Sequence, residues 1–284
     1  MERANGSTLA NLQPARRFFE FYLRDGGRLV LGILDGFCYS LCMINTAVRS
    51  LLALAAALQL ASASAADSNT LTPEESAAGW HLLFNGTNFA GWHNFKMDTI
   101  RPGWQIKDGT LACVDPHQAG DIVTTDKFDW FELQLDYKIS EAGNSGIMYH
   151  VTDAGNAVWA TGPEFQLEDN VKAVEHIRCG WLYALYQPPI DPATGKILDA
   201  TKPVGEWNHI RLVISPAKCV HEINGVKYFE YVLGSEDFTN RVAHTKFAKM
   251  PNFAKASSGW IALQGDHGSV AFRNIKIHPI APTP

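Results

Sequence analysis

Residues 161–170, Thr-Gly-Pro-Glu-Phe-Gln-Leu-Glu-Asp-Asn, gather side chains that could do chemistry on a polar substrate. Apolar residues occupy alternate positions in this stretch, and the polar positions between them are Glu164, Gln166 and Glu168. A period of two predicts a half-buried β-strand with its apolar side chains in a core. Two carboxylates and an amide are more polar ligands than a surface strand needs. We therefore predict a strand that forms the floor of a site for a polyol. The alternative is a solvated outer face that ends in an Asp169–Asn170 turn.

The elements that must position this strand are also predicted to be β-structure. Residues 131–139 alternate apolar and polar side chains without a slip, and Asn224-Gly225 joins the arms of a hairpin over residues 219–231. The last strand changes phase near Arg273-Asn274, which predicts a β-bulge because a one-residue slip reverses every side chain. Turn signals throughout, with no internal repeat, predict an all-β sandwich in one domain.

The N-terminal residues are predicted to lie outside this domain. Residues 51–60 form an apolar run too short to span a membrane, and small residues follow it at once. We interpret residues 1–66 as a leader with a signal peptide, with Met43 as the true start and cleavage near residues 63–66; an N-terminal anchor helix is the alternative. Residues 67–78 are a polar lead-in, and the domain spans residues 79–284. These features predict a periplasmic or secreted protein without a membrane span in its mature chain.

The composition is that of an acidic globular protein. Hydrophobic residues make up 46% of the chain, charged residues 19%, and the formal net charge is −5. The sequence shows no basic patch, so no nucleic-acid partner is expected. Beyond the leader, three widely spaced cysteines remain, Cys113, Cys179 and Cys219, which give no metal motif and at most one disulfide. Cys113 and Cys219 each lie in an alternating apolar stretch, which favours buried free thiols at these two positions.

Several motifs occur together in an order that is known from one family. They include residues 79–86 (Gly-Trp-His-Leu-Leu-Phe-Asn-Gly), residues 144–147 (Asn-Ser-Gly-Ile), residues 163–170, Leu182-Tyr183, residues 205–208 (Gly-Glu-Trp-Asn) and residues 272–277 (Phe-Arg-Asn-Ile-Lys-Ile). Over about residues 79–280 the chain resembles the 3-keto-disaccharide hydrolase domain family. The resemblance implies a concanavalin A-like jelly roll of two antiparallel sheets with a concave face for sugars. It also implies a secreted bacterial enzyme whose substrate is an oligosaccharide or glycoside oxidised at C3 of the sugar.

The chemistry implied by the resemblance sets three demands on the site. A ketone at C3 acidifies the proton on C2, and its removal gives an enolate that expels the C1 substituent before water adds. The reaction needs a base near C2, a cation or donors for the enolate oxygen, and an acid for the leaving oxygen. The two-carboxylate arrangement of ordinary glycosidases is not required.

The matching motifs supply four candidates for the catalytic groups, namely Glu164, His150, His267 and Asp169. Glu164 is a candidate base or metal ligand, unless it pairs with Arg178 or Arg273 as buried acids usually do. Asp169 is a candidate base, metal ligand or turn cap. His150 lies on the polar phase of its strand and His267 lies in a loop, and an imidazole in either place could act as base or ligand.

Other residues are candidates for binding the sugar: Asn144, Gln166, Trp159, Trp181, Tyr183 and Arg273. Asn144 and Gln166 would hydrogen-bond hydroxyls, although a turn beside Gly143 explains Asn144 equally well. The two tryptophans would stack on a ring. Arg273 would clamp a substrate oxygen or form an ion pair at the bulge.

A divalent metal ion is a further prediction, although the sequence contains no close-spaced ligand motif. Glu164, His150 and His267 would suit Zn²⁺ or Mn²⁺, which would stabilise an enolate. Calcium near Asp169 is an alternative.

A second class of function fits the same fold. A lectin-like domain would hold a glycan on the polar strand face without cleaving it. The enzyme hypothesis predicts that Glu164 and at least one histidine converge in a pocket.

Overall fold

The computed structural model describes residues 18–22, 28–32, 68–172 and 177–281. The predicted start at Met43 and the signal peptide with its cleavage sites lie outside these residues. The chain divides into two units, residues 1–65 and residues 66–284. In the first unit, strand β1 (Phe18–Tyr22) pairs antiparallel with β2 (Arg28–Gly32). Among the described residues, no helix is long and apolar enough to cross a membrane.

The larger sheet of the second unit contains eight antiparallel strands. Seven follow one another in space: β13 (Val226–Tyr231), β12 (Cys219–Ile223), β11 (Asn208–Ile214), β8 (Phe131–Ile139), β15 (Val270–Pro279), β6 (Thr110–Cys113) and β5 (Trp104–Lys107). The short strand β3 (His81–Leu82) also pairs with β15. The strongly alternating residues 131–139 and the Asn224-Gly225 hairpin therefore both lie in this sheet, as predicted.

The smaller sheet contains five antiparallel strands, and the predicted strand within residues 161–170 lies at its edge. The spatial order is β10 (Glu164–Glu168), β9 (Asn144–Val151), β14 (Trp260–Leu263), β7 (Ile122–Thr124) and β4 (Trp92–Asn94). Two antiparallel sheets with few helices confirm the predicted all-β jelly-roll sandwich.

Short helices connect the strands. They are α1 (Pro73–Ala77), α2 (Pro116–Ala119), α3 (Glu236–Ala243) and two 3₁₀ turns, Val158–Ala160 and Lys246–Lys249. Thr72 and Glu75 form a capping box at the start of α1, which satisfies two backbone N–H groups that would otherwise lack a partner. Ser235 caps α3 by accepting a hydrogen bond from the Phe238 N–H.

Apolar side chains between the two sheets form the core. Every second residue of β8 is buried, as the alternation predicted. From the smaller sheet, Ile147, Phe165 and Leu167 join the same cluster. Burial of one such side chain stabilises a fold by about 1.5–3 kcal/mol, so this layer fixes which face of β10 points inward. The three cysteines of the domain are buried and free, as predicted for Cys113 and Cys219.

A β-bulge in β15 ties the polar lead-in to the larger sheet. The pairing of β15 with β8 shifts register between Arg273 and Lys276, which confirms the bulge expected from the phase change. Asn274 adopts a φ of 53° there. The Asn69 N–H donates to Asn274 Oδ1 at 2.7 Å, and the Asn274 N–H donates to Asn69 Oδ1 at 2.9 Å. Residues 68–78 are thus attached to the domain at this bulge.

Replacement of Asn274 tests how much this bulge contributes to stability. We expect Asn274→Ala to lower the free energy of unfolding by about 2 kcal/mol, because it removes the Oδ1 acceptor of the Asn69 N–H and places a less tolerant residue at positive φ. Asn274→Gly should lose less, because glycine adopts positive φ without strain. Urea denaturation measures both; equal losses would show that the backbone conformation contributes nothing.

Candidate active site

The face of the smaller sheet that points away from the larger sheet, the outer face, carries the polar residues of β10. Phe165 and Leu167 are fully buried in the core between the sheets. Because successive side chains of a strand point to opposite faces, Glu164, Gln166 and Glu168 lie on the outer face. Strand β10 therefore presents its carboxylates and amide to one side, as the alternation predicted.

Two cross-strand rows of residues run over the outer face. The first row contains Tyr183, Glu164, Met148, Ala262, Val123 and His93. The second row contains Trp181, Gln166, Gly146 and Gln264. Asp121 precedes β7 and is next in register beside Gln264, and its Oδ1 accepts a hydrogen bond from the Gly265 N–H at 3.3 Å. Residues from distant parts of the sequence thus meet around β9 and β10.

The outer face of β10 is covered, so the solvated-face alternative is wrong. Glu164 is 7% exposed, Gln166 is fully buried and Glu168 is 2% exposed. The chain returns along the free edge of β10: the Gln166 N–H donates to the Trp181 carbonyl at 3.0 Å and the Tyr183 N–H to the Glu164 carbonyl at 2.9 Å. Alternation predicted which side chains share a face, but could not show that these side chains are buried or that a later segment pairs with the edge of the strand.

The carboxyl group of Glu164 lies against the backbone of Gly146. A β-carbon at Gly146 would stand 2.2 Å from Glu164 Oε1 and 2.9 Å from Cδ, far inside any real contact. The carboxyl therefore occupies the space that a side chain at position 146 would need, so an alanine there would force the Glu164 side chain to move.

Burial gives Glu164 an unusual proton affinity. Loss of hydration raises the pKa of the carboxyl to about 8, although the positive charge of Lys246 lowers the pKa in part. The negative charge of Asp121 raises the pKa further, and the positive charge of protonated His267 lowers it. A strongly shifted carboxyl with several charged neighbours is a frequent property of catalytic groups.

A second acid and a histidine share the electrostatic field of Glu164. Burial, followed by the charge of Asp266, raises the pKa of Asp121 to about 6. The His267 ring hydrogen-bonds the Asp266 carboxylate, and this contact is the main reason that the pKa of His267 is raised. His267 also interacts with Asp121 and Glu164. The structure thus brings Glu164 and His267 into one site.

A lysine and a group of aromatic rings border the same carboxyl. Lys246 Nζ lies 4.5 Å from the centre of the Tyr183 ring, 5.2 Å from Trp159 and 5.5 Å from Phe247. Such cation–π contacts hold an ammonium group in place at modest cost. Trp159 remains 37% exposed, so its ring is available to a ligand at the edge of the site. Two aromatic candidates from the sequence, Trp159 and Tyr183, therefore share Lys246 as a neighbour.

His150 lies in a different environment from Glu164. Its ring hydrogen-bonds the Asp129 carbonyl and packs edge-on against Trp130 and Phe131. Burial is the main reason that the pKa of His150 is lowered. A φ of 52° at His150, within a register shift between β9 and β14, turns its side chain out of the simple alternation. The predicted grouping of His150 with Glu164 and His267 is therefore not formed.

Asp169 acts as a turn cap. Its Oδ2 accepts from the Ala142 N–H at 2.9 Å and its Oδ1 from the Val171 N–H at 3.0 Å. Burial alone would raise the pKa of Asp169, but these backbone donors lower it overall. Of the three roles predicted for Asp169, the structure shows the turn cap.

Asn144 pairs in register with Glu168. It lies four positions along β9 from Met148, the residue that pairs with Glu164.

Arg273 belongs to the larger sheet rather than to the outer face. Its Nε lies 3.3 Å from Asp136 Oδ2, and its guanidinium group stacks 4.1 Å from the centre of the Trp207 ring. The ion-pair alternative therefore describes Arg273, and the substrate clamp does not. Arg178 instead donates to the Asn170 carbonyl, so neither arginine is the partner suggested for Glu164.

The predicted metal site does not fit the residues present. Within residues 68–172 and 177–281, no three histidine, cysteine, aspartate or glutamate side chains are close enough to hold a metal ion together. The separation of His150 from Glu164 removes one of the three predicted ligands. The backbone donors of Asp169 likewise occupy the carboxylate suggested for calcium.

Residues 79–278 match the sequence model of a family described as the 3-keto-alpha-glucoside-1,2-lyase-like domain. The match covers well over half of the chain and contains the whole of both rows. The chain belongs to this family. Membership confirms the predicted resemblance and, at the level of the family, an enzyme that cleaves glycosides.

Individual relatives of this lyase-like domain agree with the assignment. A 3-keto-disaccharide hydrolase from Bacteroides thetaiotaomicron is 28% identical over 241 residues, which is 75% of this chain and 82% of the relative. Two crystal structures from Parabacteroides distasonis, both assigned to the glycosyl hydrolases, have TM-scores of 0.68 and 0.54. They are 32% and 26% identical, and they cover 76% and 71% of this chain and 100% and 99% of their own.

The sequence pattern did not indicate three residues near Glu164. Gln264 directly follows β14, whose residues have the pattern of a core strand, and Asp121 directly precedes the short apolar strand β7. Lys246 lies in a 3₁₀ turn, inside a segment whose pattern indicated only partial helix. Cross-strand register places the first two, and the path of the chain after α3 places the third. Local periodicity predicts neither the cross-strand register nor the path of the chain.

Substitution of Gly146 tests the contact that holds the Glu164 carboxyl. We expect Gly146→Ala to reduce the free energy of unfolding by about 2 kcal/mol, because the new methyl group and the carboxyl require the same space. In a Glu164→Ala background the same substitution should cost much less, which gives a coupling energy of about 1–3 kcal/mol. Chemical denaturation of all four proteins measures this energy. Additive effects would contradict the contact.

Proposed function

We propose that this protein cleaves glycosides oxidised at C3 of the sugar, by removal of the C2 proton, elimination at C1 and addition of water. Family membership and the Bacteroides relative support this class of substrate. The site adds a strongly shifted carboxyl with a cation and a histidine beside it, as the chemistry requires. A substrate of this kind is an oligosaccharide or a simple glycoside with a 3-keto ring.

The reaction consists of an elimination, in which the C2 proton and the C1 substituent are lost, and a hydration. The base takes the C2 proton, and the C2–H electron pair becomes an enolate with its charge on the C3 oxygen. The enolate reforms the ketone, the C1–O bond breaks, and the leaving oxygen gains a proton, which leaves a double bond between C1 and C2. Water then adds its hydroxyl to C1 and its hydrogen to C2, giving the free 3-keto sugar.

Glu164 is assigned as the base in this proposal. A base with a pKa near 8 removes a proton from carbon more effectively than an ordinary carboxylate, while a useful fraction is still ionised near neutral pH. The contact with Gly146 fixes the direction from which the carboxyl approaches. The raised pKa of this buried carboxyl is the single observation that carries the assignment.

Lys246 and His267 meet the remaining two demands. The Lys246 ammonium group, held by the Tyr183 and Trp159 rings, is the cation for the enolate oxygen. The hydrogen bond between His267 and Asp266 raises the pKa of His267. The imidazole therefore retains a proton that it can give to the leaving oxygen. A lectin would need neither group close to a buried acid.

The place of action is part of the same proposal. The signal-peptide pattern over residues 43–66 supports export to the periplasm or the medium. Glycosides are met there before uptake.

The pH dependence of turnover tests the role of Glu164. With a 3-keto-glucoside as substrate, and with parallel assays in a chelator and in added Mn²⁺, we expect kcat/KM to rise as Glu164 ionises toward pH 8 and to fall again at higher pH, where His267 loses the proton that it gives to the leaving oxygen. The sign follows from the role, because only the ionised carboxylate accepts a proton. Glu164→Gln should lower kcat by about 10²–10⁴.

A matched control is Glu141→Gln, which changes an exposed glutamate paired with Lys172 and should keep full activity. A rate that falls with increasing pH from the acid side, with no rising limb below pH 8, would assign Glu164 as the acid instead. Binding of glycans without turnover of any 3-keto-glucoside would favour the lectin.

A further inference from the structure

The second row contains buried polar atoms that the fold leaves without partners. Gln166 is fully buried, yet neither its Nε2 nor its Oε1 finds a hydrogen-bond partner within residues 68–172 and 177–281. Trp181 Nε1 and Gln264 Oε1 are buried and without a partner in the same part of the chain. The row therefore offers donors and acceptors that the described part of the protein does not use.

These groups are neighbours in the sheet. The Gln166 N–H donates to the Trp181 carbonyl at 3.0 Å, so the two residues form adjacent positions of the row. On the other side, Gln166 pairs in register with Gly146, and the Gln264 N–H donates to the Gly146 carbonyl at 3.0 Å. Gln166 and Gln264 therefore flank Gly146, against which the Glu164 carboxyl lies, and Trp181 is the next position beyond Gln166.

Such an arrangement is costly for a purely structural role. A buried polar group without a partner destabilises a fold, and native proteins keep few of them. A leucine at position 166 would fill the same volume without that cost. Retention of an amide there is explained if a ligand completes its hydrogen bonds.

The chemistry of the row indicates the ligand. A primary amide donates from Nε2 and accepts at Oε1 side by side, which matches two oxygens on adjacent ring carbons. The indole N–H adds a donor and Gln264 Oε1 adds an acceptor. None of the three side chains carries a charge, and the nearby carboxyls of Glu164 and Asp121 disfavour an anionic ligand. A neutral sugar ring has the required adjacent oxygens.

We propose that Trp181, Gln166 and Gln264 form a subsite that binds adjacent oxygens of a neutral sugar ring and holds that ring over Glu164. The proposal rests on the proposed function for the identity of the reacting ring, but the binding itself does not require turnover. The subsite would determine specificity, because a site built to bond hydroxyl groups discriminates strongly against rings that lack them.

Binding of methyl α-D-glucopyranoside, an unoxidised glycoside, to the full chain tests the subsite by calorimetry. We expect Gln166→Leu and Gln264→Leu each to weaken the affinity about tenfold or more, since each removes hydrogen bonds to the ring. Trp181→Phe, which keeps an aromatic ring and removes the N–H, should weaken it about fivefold. Glu141→Gln is the matched control and should bind like the unchanged protein.

Thermal unfolding supplies a readout that a structural role would move the other way. Because the Gln166 amide lacks partners, Gln166→Leu should raise the Tm of the free protein while it weakens binding. A lower Tm with unchanged affinity would overturn the proposal. Absence of any binding by the unchanged protein would also overturn it.

The two proposals fail in different ways. If the leucine variants lose affinity for the glucoside while 3-keto-glucosides are not turned over, the subsite stands and the proposed reaction is wrong. If turnover is observed and the leucine variants keep both KM and glucoside affinity, the reaction stands and the subsite is wrong.

Discussion

The contact between the Glu164 carboxyl and the backbone of Gly146 is the constraint on which the site depends. It keeps an acid in a place with little water, where burial raises its pKa to about 8. Because the folded-state pKa lies above the ordinary value of 4.5, stability is lost progressively as pH rises from about 4.5 to 8. In the proposed reaction, this loss of stability accompanies a base matched to a weakly acidic carbon proton. Such exchange of stability for activity is common at functional sites.

The sandwich fold stabilises the strand that carries this buried acid. Burial of Phe165 and Leu167 in the core between the sheets fixes the orientation of β10. The side chains of Glu164, Gln166 and Glu168 must therefore lie on its opposite face. Residues 180–183 then form backbone hydrogen bonds with the free edge of β10. Lys246 balances part of the buried negative charge while three aromatic rings hold it. Packing, strand pairing and electrostatics therefore act on one carboxyl group.

Local periodicity predicted the strands well, because a period of two depends only on neighbouring residues. It gave β8, the hairpin at Asn224-Gly225 and the bulge near Asn274. It misplaced His150, since a register shift and a positive φ break the alternation that put that residue on the polar face. It also missed Lys246, whose position follows from the path of the chain rather than from any pattern. Family resemblance selected Glu164 and His267, but not Lys246 and Asp121, whose charges also affect the pKa of Glu164.

The proton affinity of Glu164 is the quantity that tests this account most directly. Carbon-13 NMR of protein labelled at the glutamate side-chain carboxyl reports each titration, and Glu164→Gln identifies the signal by its loss. The account predicts a midpoint near pH 8 for Glu164. A midpoint near 4.5, the ordinary value for a solvated glutamate, would contradict it.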